Sequence, residues 1–345
     1  MRRTVSLILL IAAILTVAIW PSMGLASNGP VKLGLGHITS IASSKDLSTD
    51  AKGNIVAPAA QINTTIAAVA FDAAGKVVNV TIDVSQSKVN FDKDLNVTTD
   101  LKAEQKTKTE LGPAYGMLKA SQIKKEWFEQ AAELEKWMIG KTVEEIKALK
   151  VKQRDAAHPA VPDVPELTSV VTMTVQDYIA AVEEAWNNAI AVPAGGVKLG
   201  LGHEISLAKS KAATAQVDNT MAATLFDKDG KVVGVIVDTA QTKVAYDKAG
   251  KVTADRNAEV KSKKELGDAY GMVKASSIKK DWYQQMAEFE KWMTGKTIAE
   301  IKALKVKQRD ASHVAVPDVP ELTSLVTITV EGYIAAVEES LKNAR

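Results

Sequence analysis

Two short segments carry an unusual number of hydroxyl side chains. Residues 166–175 read ELTSVVTMTV and residues 321–330 read ELTSLVTITV, each after a Pro-x-x-Pro sequence and before a helical pattern. A helix N-terminus presents unpaired N–H groups and partial positive charge, so a threonine just ahead of it is well placed to help hold a phosphate. The structural alternative is that Thr174 caps the helix together with Asp177 and that the segment is a half-buried strand.

The histidines do not complete a metal motif along the chain. The chain has no cysteine, and its four histidines form two matched pairs, His37 with His203 and His158 with His313. None is followed by a second histidine at the spacing that a helix-borne metal site uses. We therefore expect structural or solvent-exposed histidines and no metal site.

Three further patterns resemble nucleotide or hydrolase motifs only in part. Gly34-Leu-Gly36, matched by Gly200-Leu-Gly202, lacks the third glycine of a dinucleotide fingerprint. Gly140-Lys-Thr142 lacks the first glycine of a P-loop, and no serine lies in a Gly-x-Ser-x-Gly sequence. The sequence therefore predicts neither a nucleotide loop nor a hydrolase.

The chain is an internal duplication. VKLGLGH recurs at an offset of 166 residues and KALKVKQRDA at an offset of 155, so the copies differ by 11 residues. The difference is the insert SSKDLSTDAKGN in the first copy, for which we expect a surface loop. A period of this length is that of a domain. The predicted segments, with separate cores in the two domains, are 27–190 for domain one, 191–196 for the linker and 197–345 for domain two.

Each copy predicts strands followed by helices. Two β-rich runs meet at Asp72-Ala-Ala-Gly75, matched by Asp227-Lys-Asp-Gly230, which indicates a hairpin. An amphipathic helix follows with Ser121 as its expected N-cap, and Thr142 and Thr297 each begin a capping-box pattern. A last helix follows the hydroxyl segment. This order predicts an α+β fold.

The N-terminus predicts export. Arg2 and Arg3 precede an uncharged stretch and then small residues up to Ala26, which is the pattern of a signal peptide over residues 1–26. An uncleaved membrane anchor is the alternative. Without residues 1–26 the chain keeps 41 Lys+Arg and 41 Asp+Glu. A neutral chain with interleaved charges lacks the basic face of a nucleic-acid-binding protein.

In the order of its elements each copy resembles the FMN-binding domain family, which includes flavin-carrying subunits of sodium-pumping and Rnf-type redox complexes and exported flavin carriers. A Leu-Gly pair lies near the flavin in that family, and a Ser-Gly-Ala-Thr run followed by a further threonine can take FMN through a phosphoester bond. The matching residues are Leu111, Gly112, Ser169, Thr172 and Thr174 in the first copy and Leu266, Gly267, Ser324, Thr327 and Thr329 in the second.

The resemblance implies FMN at these residues and a redox partner in the membrane or outside the cell, for a carrier rather than an enzyme. Val170-Val171 and Leu325-Val326 stand where the family has Gly and Ala, and their bulk crowds a phosphate. We therefore expect non-covalent binding. The alternative is a surface binding or structural module that keeps the fold without a cofactor. Core packing is the default expectation for the Trp and Tyr residues, with flavin stacking as the alternative.

Overall fold

The computed structural model describes residues 31–345. The predicted signal peptide, residues 1–26, lies outside the described residues. In the described part of the chain, no helix combines the length and apolar character needed to cross a membrane.

The two copies repeat one order of elements and form an α+β fold. The strands of the first copy are β1 (Val31–Ser40), β2 (Ser48–Thr49), β3 (Ile55–Val56), β4 (Ala59–Phe71), β5 (Val77–Asn90), β6 (Val151–Lys152), β7 (Val161–Pro162) and β8 (Ile190–Val192). Its helices are α1 (Lys108–Leu111), α2 (Trp127–Met138), α3 (Val143–Lys147) and α4 (Gln176–Asn187). The strands of the second copy are β9 (Lys198–Ser206), β10 (Thr214–Phe226), β11 (Val232–Ala245), β12 (Val306–Lys307) and β13 (Val316–Pro317). Its helices are α5 (Lys263–Leu266), α6 (Trp282–Met293), α7 (Ile298–Lys302) and α8 (Glu331–Lys342).

Each copy builds its own antiparallel sheet. The strand order is β5-β4-β1-β8 in the first copy and β11-β10-β9 in the second. The predicted hairpins are confirmed, because residues 72–75 and 227–230 form the turns of β4–β5 and β10–β11. β8 includes Ala191 and Val192, which the sequence places in the linker, and they pair with β1. In the second copy the backbone of Arg345 bonds Leu199 at the equivalent edge.

The Gly-Leu-Gly sequences let the last helix of each copy lie directly on its sheet. A Cβ atom at Gly34 would lie 2.0 Å from the carbonyl oxygen of Ala185 in α4, and one at Gly36 would lie 2.1 Å from that of Ala181. In the second copy the corresponding Cβ atoms, at Gly200 and Gly202, would lie 1.8 and 1.9 Å from carbonyl oxygens of α8. The motif therefore serves helix–sheet packing, since any side chain would push the helix away.

The two sheets pack face to face, so the expectation of separate cores was wrong in part. Each sheet has a helix-covered face with its own apolar cluster. Their other faces share a third cluster, in which Leu33, Leu35 and Ile66 pack with Leu199, Leu201 and Met221. The burial of the strands agrees with this packing: the last eight residues of β4 and of β10 are all buried, as in strands that are covered on both faces.

The long helices α2 and α6 begin later than the sequence predicts. Ser121 is not the N-cap of α2, because Lys124 adopts a left-handed backbone conformation (φ 54°) and the helix starts after Glu126. Glu126 is the N-cap, and its amide donates to the Glu129 side chain at 2.7 Å. The capping boxes at Thr142 and Thr297 are confirmed, and they start α3 and α7.

The insert of the first copy does more than form a surface loop. It contains the exposed two-residue strand β2, which pairs with β3 directly after the insert, but the first part of the insert lies on the second copy. The Leu47 amide donates to the Gly250 carbonyl at 2.8 Å, and Asp46 accepts from the Val252 amide at 2.8 Å and pairs with Arg256. The insert therefore bridges the two copies.

Candidate functional site

The hydroxyl segment is a turn and not a strand. Residues 164–170 form the turn, and α4 begins at Gln176 without a side-chain cap, so Thr174 is not the N-cap. The Thr172 amide and hydroxyl both donate to Gln130 Oε1, at 2.9 and 3.3 Å, and its carbonyl accepts from Arg154 at 2.8 Å. Thr327 makes the same three contacts with Gln285 and Arg309. Every polar group of these threonines therefore has a partner within its own copy.

The other hydroxyls of the segment lie in two different environments. Ser169 and Ser324 are exposed at the turn. The hydroxyl oxygens of Thr174 and Thr329 are buried and have no hydrogen-bond partner among residues 31–345. A buried hydroxyl without a partner costs free energy, and here the same cost is present in both copies. A single residue separates Thr174 from the start of α4 and Thr329 from the start of α8.

The Leu-Gly pairs end the short helices α1 and α5. Gly112 has φ 49° and ψ −128°, and Gly267 has φ 49° and ψ −125°, a conformation that side chains disfavour. A capping box built on Thr107 starts α1, and Asp83 Oδ1 on β5 accepts from the Thr109 amide at 3.1 Å. The position of the Leu-Gly pair is thus fixed against the sheet.

Beside each Leu-Gly pair lies a group that we call the lysine–aromatic cluster. Its members are Lys108, Tyr115, Trp127 and Tyr178 in the first copy and Lys263, Tyr270, Trp282 and Tyr333 in the second. The Lys108 ammonium lies 4.9 Å from the Tyr115 ring centroid and 5.3 Å from the Trp127 ring centroid. The Lys263 ammonium lies 5.3 and 5.1 Å from the equivalent rings. Trp127 Nε1 donates to Tyr178 Oη at 2.9 Å, and Trp282 donates to Tyr333 at the same distance.

The predicted site residues are linked to one another through the first residues of α2. Trp127 is the first residue of α2 and contacts Lys108 of α1, next to the Leu-Gly pair. Gln130, three residues later, holds Thr172. Tyr178, in the first turn of α4, completes the link to Trp127. The start of α2 thus connects the Leu-Gly pair, the hydroxyl segment and the helix start that follows it.

Burial sets the charge of this region. It lowers the pKa of Lys108 and that of Lys263 to about 8, with nearby carboxylates acting in the opposite direction. Both lysines therefore remain mostly charged at neutral pH, although in residues 31–345 no carboxylate lies within ion-pair distance of either ammonium. Tyr115 and Tyr270 are only half-buried and lie at the outer side of each cluster. A cation next to a half-exposed ring can receive a planar anion.

The matched histidines occupy different places. His158 and His313 bond the adjacent Asp155 and Asp310, each at 2.7 Å. His37 and His203 are buried at the boundary between the two copies. His37 Nε2 lies 2.9 Å from Glu265 Oε2 of the other copy, and ligand atoms of His37, Glu184 and Glu265 all lie within 4.8 Å of one another.

Spacing along the chain did not reveal this group, because Glu265 lies 228 residues from His37. The recurrence of a histidine three residues after the first glycine of each Gly-Leu-Gly sequence was the available signal. Burial raises the pKa of Glu184 to about 7, with the negative charges of Glu265 and Asp238 adding to the effect. Glu265 is hydrogen-bonded to His37, and this bond helps to hold the pKa of Glu265 below its usual range although burial raises it.

The comparisons with known proteins find one partial relative. A chlorophenol reductase from Desulfitobacterium hafniense is 32% identical over 138 residues, which cover 36% of this chain and 42% of that protein. The match therefore spans less than half of the relative. The sequence matches no family model, and no solved structure matches it.

Proposed function

We propose that this protein is an exported flavin-binding electron carrier whose two domains each bind FMN non-covalently. The observation that carries the proposal is the lysine–aromatic cluster, which recurs beside the Leu-Gly pair in both copies with nearly the same distances. The resemblance to the FMN-binding domain family points to the same region. A redox partner in the membrane or outside the cell would exchange electrons with the bound flavin.

The cluster offers two kinds of contact that FMN needs. The half-buried Tyr115 ring is available for stacking with the flat isoalloxazine, and the Lys108 ammonium supplies a positive charge close to that ring. A reduced flavin carries negative charge on its ring, so a nearby cation also raises its reduction potential. Lys108 is suited to this role because no carboxylate neutralises it by direct contact in the described chain.

The proposal puts the phosphate of FMN at the start of the last helix. α4 begins next to Tyr178 of the cluster, and its first N–H groups and dipole favour an anion. The Thr172 hydroxyl is already used in the fold, because it donates to Gln130. Non-covalent binding is therefore the form that the local bonding supports.

The chlorophenol reductase match favours a redox role over a purely structural one. That relative is named as a reductase, and the shared stretch of 138 residues approaches the length of one copy. An electron carrier with a flavin in each domain agrees with such a relative without requiring its substrate.

Titration of the full chain with FMN tests the proposal. We expect quenching of flavin fluorescence with two FMN per chain, because both copies carry the cluster. Lys108→Met and Lys263→Met should each weaken binding in their own copy by about 10- to 100-fold, the effect of losing one charge-assisted contact. Lys141→Met is the matched control, since Lys141 also lies over a tryptophan ring, at 4.6 Å, but outside the cluster.

Two results would overturn the proposal. Absence of fluorescence quenching with FMN in excess would remove the flavin function, and equal weakening by Lys108→Met and Lys141→Met would remove the cluster as its site. Mass spectrometry after co-expression with a flavin transferase tests the mode of binding. An added FMN phosphoester at Thr172 or Thr327 that is lost in Thr172→Ala or Thr327→Ala would show that attachment is covalent.

A second function is favoured by one specific observation. The amide, hydroxyl and carbonyl of Thr172 and of Thr327 are all bonded within the protein, as in a site that serves the fold alone. This bonding suits a cofactor-free surface binding or structural module. The same titration separates the two functions, because such a module takes up no flavin.

A further inference from the structure

The boundary between the copies holds three metal-ligand side chains that come from three elements. His37 lies on β1, Glu184 on α4 and Glu265 on α5 of the other copy, and their ligand atoms all lie within 4.8 Å of one another. Ligand atoms about 2.1 Å from a tetrahedral zinc ion lie about 3.4 Å from one another. The three atoms therefore need to close by at most about 1.4 Å to share one ion. The group lines a cleft that is open to solvent.

The partner of the other ring nitrogen prepares His37 for a metal. His37 Nδ1 lies 3.1 Å from Thr39 Oγ1, and the Thr39 hydroxyl in turn donates to Thr64 Oγ1 at 3.1 Å. Because Thr39 uses its proton on Thr64, it accepts from His37, and Nδ1 carries the hydrogen. Nε2, which bonds Glu265 Oε2 at 2.9 Å, is then the nitrogen that would take a metal ion in exchange for its proton. Metal-bound histidines are commonly oriented by such a bond on the second nitrogen.

The charge of the group favours a cation. Glu184 and Glu265 are half-buried beside a single imidazole, and Asp238 acts electrostatically on Glu184 and on His37. In the deprotonated form in which they bind metals, the imidazole and the two carboxylates together carry two negative charges, which a divalent ion compensates. One nitrogen and two carboxylate oxygens form the donor set of a borderline ion such as Zn²⁺, with a further position left for water.

We propose that His37, Glu184 and Glu265 form a binding site for a divalent transition-metal ion of the zinc class, which joins the two copies. The proposal does not rest on flavin binding, because none of the three residues belongs to a lysine–aromatic cluster, although Glu265 directly precedes the Leu-Gly pair of the second copy. Since Glu265 comes from the other copy, occupancy of the site would also stabilise the contact between the copies.

The second copy supplies a natural control. His203 corresponds to His37, but Ile205 replaces Thr39, and His203 Nδ1 is buried without a partner. His203 Nε2 lies 3.6 Å from Asp83, and the His203 amide donates to Glu339 at 2.8 Å. In the part of the chain that the structure describes, no side chain bonds Nδ1 of His203 as Thr39 bonds Nδ1 of His37. The His203 group should therefore bind the same ion far more weakly.

Calorimetric titration of the full chain with Zn²⁺, repeated with Co²⁺ for its absorption spectrum, tests the site. We expect one tightly bound ion per chain. Glu184→Gln and His37→Ala should lower the affinity strongly, and Thr39→Ile, which copies the second group, should lower it by about 10- to 100-fold. His203→Ala should leave the affinity unchanged.

Thermal unfolding of each metal-free variant shows whether it folds. Glu184→Gln decides the test if His37→Ala does not fold, because it keeps the size of the side chain at a half-buried position. No saturable binding of either ion by the full chain would overturn the proposal. Equal loss of affinity in His203→Ala and His37→Ala, or wild-type affinity in both Glu184→Gln and Thr39→Ile, would also overturn it.

Discussion

The two copies agree inside each domain and differ where they face each other. The bond from the Thr172 amide to Gln130 is 2.9 Å and its counterpart is 2.8 Å, while the Trp–Tyr bond is 2.9 Å in both copies. At the boundary, by contrast, Thr39 has become Ile205. Features retained in both copies therefore define what one domain needs to fold and to build its cluster.

The buried glutamates show how the boundary diverges. Glu290 of the second copy pairs with Lys264 of its own copy at 2.6 Å. The first copy has Thr109 where the second has Lys264, and Glu135 pairs instead with Arg345 from the end of the chain. One charge inside a copy has thus been exchanged for a charge supplied by the other. The two equivalent glutamates at the boundary therefore have different partners, one from the same copy and one from the other copy.

The close contacts of Gly34 and Gly200 with the last helices are shared by the two copies and leave no room for a side chain. Gly34→Ala and Gly200→Ala should each lower the free energy of unfolding by about 3 kcal/mol or more, because the new methyl group would overlap a helix carbonyl. Chemical denaturation measures the loss. Gly332→Ala is the control, since its Cβ would meet only Glu204 Cγ at 3.5 Å, and it should stay within about 1 kcal/mol of wild type. A large loss in one copy alone would break the equivalence of the helix–sheet contacts.

Glu135 should make stability depend on pH. Burial raises the pKa of Glu135 to about 7 from an ordinary 4.5, although Arg345 opposes the shift. A raised pKa means that the folded state favours the protonated form. The contribution of Glu135 to stability is therefore fully present below pH 4.5 and is lost as the pH rises to about 7, by at most about 3 kcal/mol. Denaturation across this pH range should show the fall in wild type.

Two variants sharpen this test of the boundary. Glu135→Gln should flatten the fall, whereas Arg345→Ala should extend it to higher pH, because Arg345 stabilises the charged carboxylate. Glu144→Gln, at an exposed position, is the matched control and should keep the wild-type slope. If Glu135→Gln and Glu144→Gln give the same slope, Glu135 does not set this pH dependence.

The glutamines that hold the hydroxyl segments should matter equally in both copies. Gln130 and Gln285 are fully buried, and each accepts from a threonine amide. Gln130→Leu and Gln285→Leu should each cost about 1 to 3 kcal/mol, because the amide loses its partner. Urea denaturation measures this cost, and the exposed Gln153→Leu should change stability by less than about 0.5 kcal/mol. A cost in one copy only would show that the two hydroxyl segments are held differently.

The sequence predicted the local features well. Capping boxes at Thr142 and Thr297 and the turns after β4 and β10 are determined by neighbouring residues, and the structure confirms them. The start of α2 was missed because the left-handed backbone at Lys124 is not encoded by a Gly or Asn. Ser121 therefore looked like a cap although Glu126 serves as one.

The interactions between the copies could not be predicted from spacing. The approach of His37 to Glu265 and that of Arg345 to Glu135 depend on how the two sheets face each other. Only part of the lysine–aromatic cluster could be predicted from the sequence. The helical periodicity predicted buried aromatic rings, but it gave no reason to place Lys108 between them. The FMN assignment of Leu111, Gly112, Thr172 and their counterparts stays a prediction.

The smallest expected effect concerns the hydroxyls without partners. Thr174→Val and Thr329→Val replace a buried, unpaired hydroxyl by a methyl group of similar shape, so each should raise the free energy of unfolding by about 1 kcal/mol. Natural proteins keep such costs mainly where function needs them. If the hydroxyls help to hold a phosphate at the start of α4 and α8, the same variants should weaken FMN binding while they stabilise the protein. Thr168→Val, at an exposed position of the same turn, is the control for both measurements. A loss of stability in Thr174→Val and Thr329→Val would mean that the hydroxyls have partners within the fold, and a gain without weaker FMN binding would place the phosphate elsewhere.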